Sequence, residues 1–153
     1  MGVVLLSLEE DLAVQLLDAV RAGATIRRDT IRQLRAALHN EAIARGQQLD
    51  DGASLTVVRR LVNQHKDSIA EFTKAGRMDL VSQEAAELEI LNGYLPEQLS
   101  RELIMVAARA AVASTEASGR KDLGKVMREL SGQLGGRADM RLVNDVVLEL
   151  LGD

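Results

Sequence analysis

Gly119-Arg120-Lys121-Asp122-Leu123-Gly124-Lys125 has the spacing G-x-x-x-x-G-K, in which backbone amides would cradle a phosphate and the lysine would reach it. That chemistry fails at the next position. Val126 stands where a Ser or Thr hydroxyl would hold magnesium, and the residues before Gly119 carry a helical pattern where the loop needs a strand. Gly124 is instead expected inside a helix, letting a neighbouring backbone approach closely at a propensity cost of about 1 kcal/mol. Further on, Gly135-Gly136-Arg137-Ala138-Asp139 reads as a corner: one glycine takes the left-handed position that closes a helix, and Asp139 caps the next. The same glycines would admit a sugar-phosphate backbone, while Arg137 and the N-terminus of the final helix favour phosphate.

Other residue sets able to do chemistry are sparser. Arg28, Arg32, Arg35 and His39 stand at i, i+4, i+7 and i+11, a shared helix face. It reads as a secondary row tracking phosphates or as a solvated face neutralised by acids. His39 and His65 are the only histidines, lie on different expected helices and fall in no H-E-x-x-H, and no cysteine exists to complete a zinc set. No metal site is therefore expected, and His65 is read as a packing residue. Glu84, Glu87 and Glu89 are expected on a helix surface, and no G-x-S-x-G elbow occurs. The residues name no catalytic group and no cofactor, so the chain is read as a non-enzyme.

The elements that must position these residues are helices throughout, because apolar residues recur three and four apart and nowhere alternate as a strand would. Ser7 with Glu10 fits a capping box before a stripe of Leu8, Leu12, Leu16 and Val20, ended by Gly23. A second helix from about Thr25 presents Ile31, Leu34, Leu38 and Ala42 and stops near Gly46, after which Asp50-Asp51-Gly52 reads as a turn. The third runs from about Ser54 to Ala75 on Leu55, Val58, Val62, His65, Ile69 and Phe72. Gly76 ends it. A fourth, from about Asp79 to Leu95, offers Val81, Ala85, Leu88, Leu91 and Leu95, so the two long helices should fold as an antiparallel hairpin. Pro96, the only proline, marks the boundary between an N-terminal helical domain, 1–95, and a small three-helix domain, 96–153. The latter's helices are expected at about Ser100–Ala113, Lys121–Leu134 and Asp139–Leu151.

At 153 residues without cysteine, the chain can build a core without staples, and a reducing, cytoplasmic setting is expected. Met1–Leu6 is a brief apolar lead-in without a basic flank and is not read as a signal peptide; no apolar run reaches the roughly 20 residues of a membrane span, so no membrane role is expected. The net charge of -4 argues against coating nucleic acid by bulk charge. Its distribution is more informative. Residues 1–94 carry 11 Lys and Arg against 14 Asp and Glu, but 120–141 carry six (Arg120, Lys121, Lys125, Arg128, Arg137, Arg141) against three. Phe72 and Tyr94 are the only aromatic residues, too few for a base-stacking platform, so any nucleic-acid contact must be to backbone and shape.

An ordered set of stretches then becomes specific: Leu34-Arg35-Ala36-Ala37-Leu38, Asn40-Glu41-Ala42-Ile43, Lys66-Asp67-Ser68, Glu71-Phe72, Lys74-Ala75-Gly76-Arg77, Asp79-Leu80, Tyr94-Leu95-Pro96-Glu97-Gln98-Leu99-Ser100, and the Gly-Lys-Val-Met and Gly-Arg-Ala-Asp pieces above. Over nearly its full length the chain resembles the GatB/YqeY family, stand-alone YqeY-like proteins that share a tail domain with the B subunit of the glutamine-dependent tRNA amidotransferase. The resemblance implies an all-α fold, an association with carbon-nitrogen ligases that use glutamine as amido donor, and tRNA as partner. The catalytic machinery of that enzyme lies in domains this chain does not contain. The expectation is a non-catalytic tRNA-interacting module in which Lys121, Gly124, Lys125, Arg128, Gly135, Gly136, Arg137 and Arg141 meet phosphates, with Arg28, Arg32 and Arg35 as a secondary face. The alternative is a protein adaptor docking on an enzyme or RNA-protein complex of aminoacyl-tRNA metabolism.

Overall fold

The computed structural model describes residues 7–152; the apolar lead-in Met1–Leu6 lies outside them. Seven α-helices and one 3-10 turn account for the regular structure, with no strand among the described residues. The all-α expectation holds. The helices form two compact units, one ending at Leu95 and one beginning at Pro96.

In the first unit, α1 (Leu8–Ala22) starts where the Ser7 hydroxyl accepts from the Glu10 amide at 3.3 Å and ends at Gly23 in the left-handed region. Its buried positions are Leu12 and Ala19, whereas Val20 of the expected stripe is half exposed. The reason is angular: Ala19 stands two full turns from Leu12, and Val20 is rotated about 100° further. Helix α2 (Thr25–Arg45) buries Ile31, Leu34 and Leu38. Helix α3 (Asp51–Lys74) begins earlier than expected, because Asp50 is its cap and not part of a turn; the carboxylate accepts from the Ala53 amide at 2.7 Å.

Helix α3 and α4 (Met78–Asn92) form the hairpin, joined at Gly76, whose φ of +70° is open to glycine at little cost. The Arg77 amide closes the α3 end on the Phe72 carbonyl at 3.0 Å, and the Arg77 side chain bridges Asp79 through bonds of 3.1 and 2.9 Å. The core of this unit joins Leu12, Ile31, Leu34, Leu38, Val57, Val58, Val62 and Leu91. At roughly 1.5–3 kcal/mol per fully buried aliphatic side chain, it is what holds helices of modest intrinsic propensity in place.

The second unit contains α5 (Arg101–Ser114), a 3-10 turn (Arg120–Asp122), α6 (Leu123–Leu134) and α7 (Met140–Leu151). Ile104, Ala108, Val126, Leu130, Val143, Val146 and Val147 form its separate core, α5 and α6 each packing on α7. Leu134-Gly135-Gly136-Arg137 is a β-turn: the Arg137 amide donates to the Leu134 carbonyl at 2.9 Å, and Gly136, at φ +78°, takes the left-handed position.

Candidate functional site

On α6 the buried stripe is Val126, Leu130 and Leu134. At 100° per residue, Lys125, Arg128 and Gly132 fall on the opposite side, and all three are exposed. Lys125 and Arg128 therefore form one ridge on this helix, and the exposed Lys121 stands in the 3-10 turn that precedes it. Lys125 lies 3.4 Å from Asp122, but among the described residues Lys121 and Arg128 have no acidic partner, nor does Arg137 on the turn beyond. Arg141 departs on α7, its guanidinium 3.8 Å from the capping Asp139 carboxylate.

Gly124 departs from expectation. A Cβ built there would meet nothing within 4 Å, so no neighbouring backbone uses the space. Gly132 is equally open. At Gly135 a Cβ would press on the Ser131 carbonyl at 3.1 Å, so this glycine serves the turn. Gly119 is extended and leads into the 3-10 turn without a strand before it, which removes the nucleotide-loop geometry.

The secondary row on α2 shares a single carboxylate: Arg28 bonds Asp29 at 2.9 Å and Arg32 lies 4.0 Å from the same group, while Arg35 is exposed without an ion pair among the described residues, so the row keeps a net positive charge. The bond from Arg28 holds the Asp29 carboxyl below its ordinary range.

The structure also assembles a polar cluster in the hairpin that the sequence reading separated. His65 and Glu87 each stand eleven residues from Gly76 and meet across it: His65 Nε2 is 2.9 Å from Glu87 Oε2 and 3.5 Å from Glu84 Oε2. Both His65 and Glu87 are buried. One expectation is thereby corrected: Glu84 and Glu87 do not lie on an open helix surface. Together with His65 they make a set of metal-ligating type that the sequence reading kept apart. Position explains the difference: Glu84, Glu87 and Leu91 turn towards α3, while Ala85, expected in the stripe, is exposed. The signal was present in the chain, since the seam histidine and an i,i+3 carboxylate pair sit opposite one another about the hairpin turn.

A family model described as Yqey-like protein matches residues 9–151. The chain belongs to the YqeY-like family. Among curated relatives, the Altered inheritance of mitochondria protein 41, mitochondrial, of Lachancea thermotolerans is 42% identical over 78 residues, covering 50% of this chain and 42% of that one. The protein of the same name from Pyrenophora tritici-repentis is 29% identical over 99% of this chain and 82% of its own. That of Saccharomyces cerevisiae is 32% identical over 52% of this chain and 43% of its own. Against the Lachancea and Saccharomyces relatives, the matched stretch thus spans less than half of their length. No reaction appears in the description of the family or in the names of these relatives.

The expectation of a cytoplasmic location is overturned by these relatives, which are named as mitochondrial proteins. A chain without cysteine carries no redox signature, so its composition never separated the two compartments. No helix among the described residues is long and apolar enough to cross a membrane.

Several stretches that carry the YqeY-like resemblance have structural work. Gln98 Nε2 donates to the Gly136 carbonyl at 2.9 Å and the Leu99 amide to the Arg137 carbonyl at 2.9 Å, tying the segment after Pro96 to the glycine corner. Tyr94 donates to Gln15 Oε1 at 2.6 Å, and burial raises its hydroxyl above the ordinary value. Lys74-Ala75-Gly76-Arg77 and Asp79 make the hairpin turn.

Proposed function

We propose that this YqeY-like chain is a non-catalytic module that binds structured RNA, tRNA by resemblance to the amidotransferase tail, through phosphate contacts made by its C-terminal unit. The observation that carries this reading is the α6 ridge. Lys125 and Arg128 lie opposite the buried stripe, with Lys121 exposed in the turn before them, beside two glycines whose Cβ positions open to solvent, and among the described residues Lys121, Arg128 and Arg137 have no competing acid. Unpaired cations beside bare backbone are suited to phosphate, and a surface without aromatic side chains reads no base by stacking. No catalytic residue or cofactor is assigned.

Fluorescence anisotropy with unmodified tRNA tests the reading. Three to four contacts give a log-log salt slope of about -2 to -4. Each lost contact costs about sixfold near 0.1 M salt, so Lys121→Glu with Arg128→Glu is expected to weaken binding by about fortyfold or more and to flatten the slope. Arg28→Glu with Arg32→Glu, in the other unit and beside Asp29, should weaken binding less than the α6 pair does. Absence of tRNA binding at low salt, or equal losses from the two pairs, refutes the proposal.

A second reading, a protein adaptor, draws on α1, where Val14, Leu17 and Val20 stand one turn apart at 51%, 57% and 50% exposure. Recovery of a stoichiometric protein partner that survives nuclease and is lost in Leu17→Asp favours it.

A further inference from the structure

We propose that His65, Glu84 and Glu87 form a site for one divalent first-row transition ion of the zinc class, held between α3 and α4. This site lies in the other unit from the α6 ridge and is independent of the RNA reading.

Charge balance is the first argument. His65 and Glu87 side chains are each 8% exposed and Glu84 is 23% exposed, yet no lysine or arginine among the described residues pairs with either carboxylate. Two carboxylates are thus drawn within 3.5 Å of one imidazole nitrogen with no other cation among the described residues beside them. Like charges brought together out of bulk water favour a cation between them. A divalent cation with a neutral imidazole and two carboxylates brings the sum to zero.

The orientation of the imidazole is the second. His65 Nδ1 is 2.9 Å from the Leu61 carbonyl, which can only accept, so Nδ1 carries a hydrogen and Nε2 is the atom turned to the carboxylates. This is the arrangement that presents a histidine lone pair to a metal, with the backbone carbonyl fixing the tautomer. Gln33 of α2 donates to Glu87 Oε1 at 3.4 Å, which leaves Oε2 as the ligand oxygen.

Distances agree. Ligands about 2.0–2.2 Å from a tetrahedral ion lie about 3.4 Å apart. Here Nε2 is 2.9 and 3.5 Å from the two carboxylate oxygens, and the three donor atoms all lie within 4.8 Å of one another. Small side-chain adjustments suffice. The partly exposed Glu84 gives entry from solvent and leaves room for water as a fourth ligand. A mixed nitrogen and carboxylate set favours zinc over magnesium or calcium, which prefer oxygen alone.

The experiment uses tag-free, chelator-treated full-length protein titrated with Zn2+ by calorimetry and by proton-nitrogen correlation of the imidazole rings. With only two histidines, His39 is the internal control. Expected are one-to-one binding, a rise in the thermal midpoint, and a perturbed His65 ring beside an unchanged His39. Glu84→Gln keeps the His65–Glu87 bond and the fold, and should weaken Zn2+ by at least about tenfold. His65→Gln should abolish the binding. No saturable binding below about 100 μM Zn2+, equal affinity for Mg2+, a response at His39 alone, or a Glu84→Gln protein that binds like the parent would each overturn the proposal.

Discussion

Replacing Gly124 and Gly132 by alanine should strengthen the second unit, and replacing Gly136 should weaken it. All three carry no side chain, but their backbones differ. Gly124 and Gly132 lie within α6, and a Cβ at either meets nothing within 4 Å. Alanine there restricts the unfolded chain without crowding the native one, worth about 0.5–1 kcal/mol per site. Gly136 sits at φ +78° in the turn, with its carbonyl engaged by Gln98, and a Cβ in that region costs about 1–2 kcal/mol. Amide exchange at Leu130 and Val147, both in the core of this unit, reads these differences locally. The Gly124→Ala and Gly132→Ala proteins should exchange about 2–5-fold more slowly, and Gly136→Ala about 5–30-fold faster. The α6 substitutions also place methyl groups on the cationic ridge, so the same proteins should bind tRNA more weakly while being more stable. Unchanged or faster exchange in Gly124→Ala would refute the account of an open helical glycine. Slower exchange with unaltered tRNA affinity would show that phosphate does not approach there.

Asp50→Ala removes the carboxylate that accepts from the Ala53 amide and should cost about 1 kcal/mol of first-unit stability, measured by denaturant unfolding of the full chain. Asp122 accepts from the Ser118 amide at 2.8 Å and lies 3.4 Å from Lys125, so its carboxyl titrates below the ordinary value of 3.8. The stabilisation it gives is complete above the unfolded-chain value and is lost as pH falls through the lower folded one; Asp122→Asn should flatten the acid side of a melting-midpoint profile between about pH 5 and pH 2.

Periodicity made the helices legible, because a buried helix face repeats whatever the tertiary arrangement. It misplaced residues where the expected stripe drifted by one position. Val20 was read as buried because it continues a four-residue step from Leu16, but the stripe turns on Leu12 and Ala19. The Asp50-Asp51-Gly52 run looked like a turn because its composition suits one; only the bond to the Ala53 amide shows it to be a helix start.

Electrostatics were less legible than helices because charge pairing depends on side-chain reach. Neighbours at i and i+1 do not ordinarily face each other on a helix, yet the long Arg28 side chain folds onto Asp29 and offsets one charge of its row. Around α6, Asp122 engages Lys125 and Glu129 accepts from Ser114, so among the described residues Lys121 and Arg128 keep no ion pair. The hairpin cluster is hidden for a related reason: a glutamate taken alone belongs in solvent, and only the register of the two helices places it elsewhere. Once Gly76 is taken as the hinge, Glu87 falls opposite a histidine already placed on the seam, and its carboxylate cannot be both there and on the surface. Two opposed polar groups on facing apolar stripes are each other's most economical partner, which is why pairing across the turn locates this cluster although neither helix announces it alone.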